Sequence, residues 1–153
     1  MSVTFAPAGA DALPLHLVPK EHLADWREGQ PERVLHWLEA VGFAAEAGAA
    51  VLVPGEAGAP VMAVAGLGSE TERSRTRFLA AKARAALPAG VYRLETELSG
   101  APLEEAALGW LLAGYRFDRY REGRKAPPGA DLVAPDGVDA TRIEAIAAGE
   151  VLA

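Results

Sequence analysis

The sequence predicts an α/β protein with a single domain, in which a mixed β-sheet is flanked by helices on both faces. Two observations predict this class. Segments typical of strands alternate with segments typical of helices along most of the chain, which is the order expected of a sheet covered by helices. Of the 153 residues, 50% are hydrophobic and 24% are charged. This is an ordinary globular composition on a chain long enough to bury a substantial core.

Four apolar segments are the predicted strands of one sheet. Leu13–Val18 and Gly90–Leu98 alternate apolar with polar residues, which is typical of a strand with one buried face. Pro14 places the first of them at a sheet edge or at the start of the strand. Ala49–Val53 and Pro60–Ala65 are continuous apolar runs joined by a glycine-containing turn, which indicates a hairpin. The other extended segments are a loose or edge segment at Met1–Ala12 and a short strand at Asp131–Ala134.

Apolar residues that recur every three or four positions predict the helices. The predicted helices are Glu21–Glu28, Pro31–Val41, Ser69–Leu87, Leu103–Gly114 and Ala140–Leu152.

Residues at the ends of these segments support the helix boundaries. Ser69 and Glu72 match the S-x-x-E capping box, and Asp139 is the predicted cap of the last helix. Pro102 suits a first helical turn, and Gly114 suits a helix end. The aromatic and arginine-rich run 115–121 is therefore predicted to leave the helix as an extended, half-buried segment.

The turn at Gly66–Gly68 lies between a predicted strand and a capped helix, which is a place where anions bind. The dinucleotide fingerprint needs a third glycine where this sequence has Thr71, and the lysine of a P-loop is absent. These departures favour a structural turn over a phosphate-binding loop.

Other residue types with a chemical role are scattered. His16, His22 and His36 do not have the i, i+4 spacing of a helical metal pair, so no metal site is predicted from them. Asp118 could be a catalytic carboxylate, but arginines on both sides of Phe117-Asp118 favour an ion pair.

A local basic run is interleaved with aromatic residues, a composition found on nucleic-acid-binding surfaces. It comprises Arg116, Arg119, Arg121, Arg124 and Lys125. The formal net charge of −6 opposes broad capture of nucleic acid, so a solvated or interface-facing segment is favoured.

The composition also bears on the compartment. There is no cysteine, hence no disulfide and no thiolate metal site. No apolar run approaches the roughly 20 residues that span a bilayer, and no secretory signal is visible. A cytoplasmic protein without a membrane partner is predicted.

The helix that ends in Gly-Tyr-Arg-Phe-Asp-Arg-Tyr, Gly114–Tyr120, resembles the end of the N-terminal domain in the leucyl aminopeptidase family. That family, also called M17, comprises cytosolic two-metal exopeptidases. The strand that ends in Gly66-Leu67-Gly68, with its arginine- and alanine-rich helix, is similar to the middle of the same domain. The likeness extends to Asp131–Leu152 and so covers most of the chain.

The resemblance implies a macro-domain-like fold, with residues 1–138 as the N-terminal α/β domain. Residues 139–153 would be a linker helix leading into a catalytic domain that this sequence does not include. The family's metal ligands lie in Gly-Lys-Gly and Asn-Thr-Asp-Ala-Glu-Gly-Arg motifs, neither of which occurs here. No catalytic, cofactor-binding or metal residue is therefore assigned to any position.

The implied function is that of a non-catalytic assembly or regulatory domain, inactive alone. The full-length enzyme would use two divalent metals, Zn or Mn, to remove N-terminal residues from peptides. Its partners would be its own catalytic domain and further copies of itself, with nucleic acid disfavoured. The alternative is a stand-alone macro-domain-like module that binds ADP-ribose-type ligands or nucleic acid.

The last predicted helix has an apolar stripe whose partner would be the missing domain. The stripe consists of Ile143, Ile146, Ala147 and Val151. Exposed apolar patches tend to find a partner, so we expect this helix to fray or to pack against another copy.

Overall fold

The structure is a computed structural model that describes residues 4–75, 79–96, 98–119 and 129–152. For residues 79–80, 115–119 and 151–152 it describes the backbone. The strands are β1 (Leu13–Val18), β2 (Ala50–Pro54), β3 (Pro60–Gly66), β4 (Gly90–Glu95) and β5 (Ala130–Leu132). The α-helices are α1 (Leu23–Glu28), α2 (Glu32–Val41), α3 (Glu70–Arg75), α4 (Leu79–Ala86), α5 (Gly100–Arg119) and α6 (Ala140–Leu152), and a 3-10 turn covers Lys20–His22.

The five strands form one mixed sheet in the order β2-β3-β1-β4-β5. β1 is parallel to both β3 and β4, and β4 is parallel to β5. β2 and β3 form the predicted antiparallel hairpin. The N-terminal segment adds a parallel bridge at the β5 edge, between Ala6 and Val133. The predicted α/β class with a mixed sheet is confirmed.

The two faces of the sheet carry separate apolar clusters, because successive side chains of a strand point to opposite faces. On one face Leu15 and Leu17 of β1 pack with Trp110 of α5. On the other face Val18 of β1 packs with Val34 of α2. Helices therefore flank both faces, as predicted.

Trp110 is the largest fully buried side chain, with 0% of its surface exposed. Its indole N–H donates a 2.8 Å hydrogen bond to the carbonyl of Ala130 in β5. A buried indole needs such a partner, and this one fixes α5 against the far edge of the sheet.

Helix α6 packs on α5, so only part of its apolar stripe faces solvent. Ile143 and Ala147 are buried against α5, whereas Ile146 is 36% exposed. Asp139 caps the helix as predicted, since its Oδ1 accepts the Arg142 N–H at 3.1 Å. The expectation of an unpartnered stripe is wrong for Ile143 and Ala147, because α5 supplies their contacts. The domain boundary at residue 138 stays a prediction.

Helix α5 ends later than the sequence predicts. The helix continues through Gly114 to Arg119, so the predicted extended segment is wrong for residues 115–119; residues 120 and 121 lie outside the described part. Gly114 has a different reason to be glycine. A Cβ there would lie 2.7 Å from the Arg84 guanidinium carbon, and the Arg84 guanidinium donates to the Trp110 carbonyl at 3.0 Å. The glycine admits an arginine against the helix backbone.

Three further predictions concern the bounds of strands and helices. Pro14 is the second residue of a strand at the centre of the sheet, so the alternative of an edge strand is wrong and that of a strand start is right. β4 ends at Glu95 rather than at residue 98. The segment predicted as one helix at Ser69–Leu87 contains α3 and α4; residues 76–78 between them lie outside the described part, so the continuity of this helix stays a prediction.

Candidate functional site

The carboxyl ends of β1, β3 and β4 lie at the same edge of the sheet, because these three strands are parallel. In open α/β sheets, ligands bind in crevices at this edge. Two places there are candidates. The first is the turn after β3, Gly66–Ser69, and the second is a cleft after β1 and β4.

The turn after β3 is filled by the protein's own side chains. Glu72 Oε1 accepts the Ser69 N–H at 3.3 Å, and Ser69 Oγ accepts the Glu72 N–H at 3.2 Å. This is the predicted capping box. Glu21 adds a second carboxylate, whose Oε1 accepts the Glu70 N–H at 2.9 Å. The Ser69 and Glu70 N–H groups at this helix start are thus bonded to carboxylates, and the Glu72 N–H is bonded to a hydroxyl.

Arg73 stabilises the turn by linking its backbone to Glu21. Its guanidinium donates to the Gly68 carbonyl at 2.6 Å and to Glu21 Oε2 at 2.7 Å. The hydrogen bond from Arg73 holds the pKa of Glu21 below its ordinary value. Gly68 itself has φ of 74°, a left-handed conformation that favours glycine. The turn is structural, and the ADP-ribose alternative based on it is not supported.

The cleft after β1 and β4 has a volume of about 290 Å³. It is lined by His16, Leu17, Val18, Pro19, His22, Trp26, Gln30, Glu95 and Thr96. The end of β1, the end of β4 and helix α1 with its flanking residues all contribute. His16 and Glu95 are direct partners in the register of β1 with β4, so their side chains lie on the same face of neighbouring strands.

His16 has a defined hydrogen-bonding state. The Trp26 indole N–H donates to His16 Nδ1 at 3.3 Å, and the two rings meet edge to face with centroids 5.5 Å apart. Burial lowers the pKa of His16, and the charge of Glu95 partly opposes this. The ring is therefore neutral at pH 7, with its proton on Nε2 because Nδ1 accepts.

Glu95 supplies the carboxylate of the cleft. Arg93 Nε donates to Glu95 Oε1 at 3.1 Å, and the Glu95 side chain is 46% exposed. A carboxylate can accept about four hydrogen bonds, so the contact with Arg93 leaves acceptor capacity towards the cleft.

The three histidines considered as candidate metal ligands lie in two different places. His16 and His22 share the cleft, whereas His36 lies exposed on α2, 3.7 Å from Glu32. Within residues 4–75, 79–96, 98–119 and 129–152, no three His, Cys, Asp or Glu side chains are grouped so that they could hold a metal ion. The absence of assigned catalytic, cofactor and metal residues stays a prediction.

The side chains of the predicted basic run lie outside the described part of the structure. Arg116, Asp118 and Arg119 lie in the last turns of α5, where the described part is the backbone, and residues 121, 124 and 125 lie outside the described part. Sequence reasoning missed Trp26, Glu95 and Gln30 as neighbours of His16. The parallel pairing of β1 with β4 brings these residues together, and no local sequence pattern predicts that pairing.

No helix within the described ranges is both long and apolar enough to cross a membrane.

Comparison with protein families gives a match over residues 13–135 to the model described as the M17 aminopeptidase, N-terminal domain. The chain belongs to this family. The match to the M17 N-terminal domain covers all five strands, from Leu13 to Leu132. The resemblance inferred from the Gly114–Tyr120 run is confirmed.

Individual relatives agree with the M17 assignment. The chain is 41% identical over 96 residues to a probable cytosol aminopeptidase from Leifsonia xyli subsp. xyli (strain CTCB07), which covers 58% of this chain and 18% of the relative. The crystal structure of a cytosol aminopeptidase from Coxiella burnetii matches with a TM-score of 0.76 at 23% identity, over 95% of this chain and 31% of the other. That likeness shows the fold.

The bottromycin maturation enzyme BotP, solved in complex with Mn, matches this M17 domain with a TM-score of 0.54 at 25% identity. The match covers 90% of this chain and 29% of BotP. The chain therefore spans less than a third of each of these three relatives.

Proposed function

We propose that this chain is the non-catalytic N-terminal domain of a cytosolic, metal-dependent leucyl aminopeptidase, with a role in assembly or regulation. The observation that carries the proposal is the family match over residues 13–135. The Leifsonia relative, of which the chain covers 18%, is a probable cytosol aminopeptidase. In the proposal, the chemistry lies in the part of the parent enzyme that corresponds to the remaining length.

The metal chemistry of the parent enzyme belongs to that remaining part. BotP is in complex with Mn, which supports a metal-dependent parent enzyme, and the proposed metals are two divalent ions, Zn or Mn. Such metals supply a polarised substrate carbonyl and an activated water. The described residues of this chain offer no group of three donors for a metal, so no catalytic step is assigned to them.

Helix α6 supports a role in positioning a neighbouring domain. Arg142 pairs with Glu104 of α5 at 2.9 Å, and Glu144 Oε1 accepts the Phe5 N–H at 3.0 Å. These contacts, with buried Ile143, fix the direction of the helix on the domain. A catalytic domain joined to this helix would be held in place rather than hinged. The proposed partners are that catalytic domain and further copies of the protein.

A domain exchange tests the assembly role. The matching N-terminal part of the Leifsonia xyli protein is replaced by this chain, and the chimera is compared with a deletion of the same part. We expect the chimera to recover both the assembled mass, measured by light scattering, and the hydrolysis of leucine p-nitroanilide in Mn²⁺, relative to the deletion.

The isolated chain is the control for catalysis. We expect no hydrolysis by it with Mn²⁺ or Zn²⁺. Activity that follows the chain through several columns contradicts the non-catalytic assignment. A folded chimera that matches the deletion in mass and in rate contradicts the assembly role.

A further inference from the structure

The cleft after β1 and β4 has a complementary set of hydrogen-bonding groups. Glu95 retains acceptor capacity after its single described contact with Arg93. Gln30 donates through its amide nitrogen to the Trp26 carbonyl at 3.4 Å, so its amide oxygen remains an acceptor. His16 donates through Nε2–H, since its Nδ1 accepts from Trp26. The cleft thus offers a carboxylate acceptor and a neutral donor on neighbouring strands, since Glu95 and His16 are register partners.

The walls between these groups are apolar. Val18 and Pro19 line the cleft together with the half-buried indole of Trp26. An indole and a carboxylate that line the same cleft are favourable surroundings for an organic cation, because the ring face and the charge both attract it. An apolar group attached to that cation would be removed from water by the same walls.

From this arrangement we propose that the cleft binds a free α-amino acid with an apolar side chain. The ammonium group contacts Glu95, the carboxylate accepts from His16 Nε2–H, and the side chain lies against Trp26. The proposal rests on the cleft itself and not on the aminopeptidase assignment, although an apolar amino acid is also what an aminopeptidase releases.

Size and charge select this ligand class. A volume of about 290 Å³ is at the lower end of the roughly 300–1,000 Å³ typical of ligand pockets, which fits an amino acid better than a nucleotide. Among the nine described lining residues, Glu95 is the carboxylate and none is Lys or Arg. A phosphate would therefore lie beside a carboxylate with no Lys or Arg among these nine residues, and Arg93 is already paired with Glu95.

Calorimetric titration of the 153-residue chain with three probes tests the proposal. The probes are L-leucine, 3-methylbutylamine, which lacks the carboxylate, and 4-methylpentanoate, which lacks the ammonium group. We expect saturable binding of leucine. The amine should bind more weakly than leucine, and the acid at least about tenfold more weakly than the amine, because the charged contact with Glu95 contributes most. No saturable binding of leucine up to its solubility limit overturns the proposal, as does a preference for the acid over the amine.

Two substitutions assign the contacts. Glu95→Gln should weaken leucine and amine binding at least about tenfold. Glu104→Gln is the matched control, since Glu104 is also an arginine-paired carboxylate, 33% exposed, on a helix of the other sheet face. His16→Asn keeps an acceptor for the indole N–H and removes the Nε2–H. It should weaken leucine and leave the amine unchanged.

Each result of these binding measurements either supports or overturns the proposal. Equal affinity of the Glu95→Gln and Glu104→Gln variants for leucine overturns the proposal. If Glu95→Gln does not fold, Glu95→Asp, which retracts the charge by one methylene, must weaken leucine binding for the proposal to stand. Binding is measured without catalysis, so failure of the domain-exchange experiment leaves this result unaffected, and the reverse also holds.

Discussion

The two faces of the sheet are covered to different extents. On the face of α4 and α5, Trp110 is fully buried and its indole is bonded to the Ala130 carbonyl. On the face of α1 and α2, Trp26 is half-buried, its indole is bonded to a histidine at the margin of a cleft, and Arg93 of β4 is 51% exposed.

This difference in covering indicates that one face of the sheet mainly stabilises the fold, whereas the other leaves room for a binding site. Parallel sheets are normally covered on both faces, and the first face meets that rule with a continuous apolar cluster that crosses β3, β1, β4 and β5. On the second face the apolar cluster draws on β1, β2 and β3. Of the polar residues of β4 on this face, Glu95 lines an opening at the carboxyl edge of the sheet, and Arg93 is paired with Glu95.

The largest expected effect compares the two tryptophans. Trp110→Ala should reduce the free energy of unfolding by about 3–5 kcal/mol, because it removes a fully buried ring and leaves a cavity. Trp26→Ala should cost less than half as much, since its ring is only partly buried and its site at the margin of the cleft can relax into solvent. Urea denaturation of both variants measures the difference. Equal losses of unfolding free energy in the two variants would mean that both faces contribute equally to stability, which would contradict the difference proposed here.

Local signals explain which parts of the fold were predictable. Helix α2 was predicted almost to the residue, because Pro31 starts it, apolar periodicity marks its face, and Gly42 at φ of 74° ends it. The capping box of Ser69 and Glu72 is equally local. All of these interactions lie within a few residues along the chain.

Long-range contacts explain the rest. Gly114 has the appearance of a helix end, but the group that requires a glycine there belongs to Arg84, on another helix. The cleft depends on the pairing of His16 with Glu95, which is set by the parallel register of β1 and β4. Hydrophobic patterning predicts two strands but not which residues become neighbours, so neither feature could be predicted from the sequence.

A pair of glycine substitutions sharpens the comparison on the packed face. Gly114→Ala should destabilise the protein by about 1 kcal/mol, because overpacking against Arg84 costs roughly 1–3 kcal/mol and exceeds the gain in helix propensity. Gly149→Ala is the matched control in α6, where a Cβ would meet nothing within 4 Å. It should stabilise by up to about 1 kcal/mol.

Thermal unfolding of the two glycine variants measures this contrast. Stabilisation by Gly114→Ala would show that the Arg84 side chain moves aside without loss. In that case the hydrogen bond from Arg84 to the Trp110 carbonyl contributes little to the rigidity of this face.

The smallest expected effect concerns pH on the open face. Burial places the pKa of His16 in the folded protein below its ordinary value of 6.5. Between the folded pKa and 6.5 the unfolded chain binds more protons, so the free energy of unfolding rises with pH in that window. The contribution is fully present above 6.5 and is lost as the pH falls towards the folded pKa. His16→Asn should flatten the dependence of the urea midpoint on pH in this range, whereas His36→Asn, on an exposed histidine, serves as the control. Equal slopes in both variants would contradict a half-buried His16 that is neutral at pH 7.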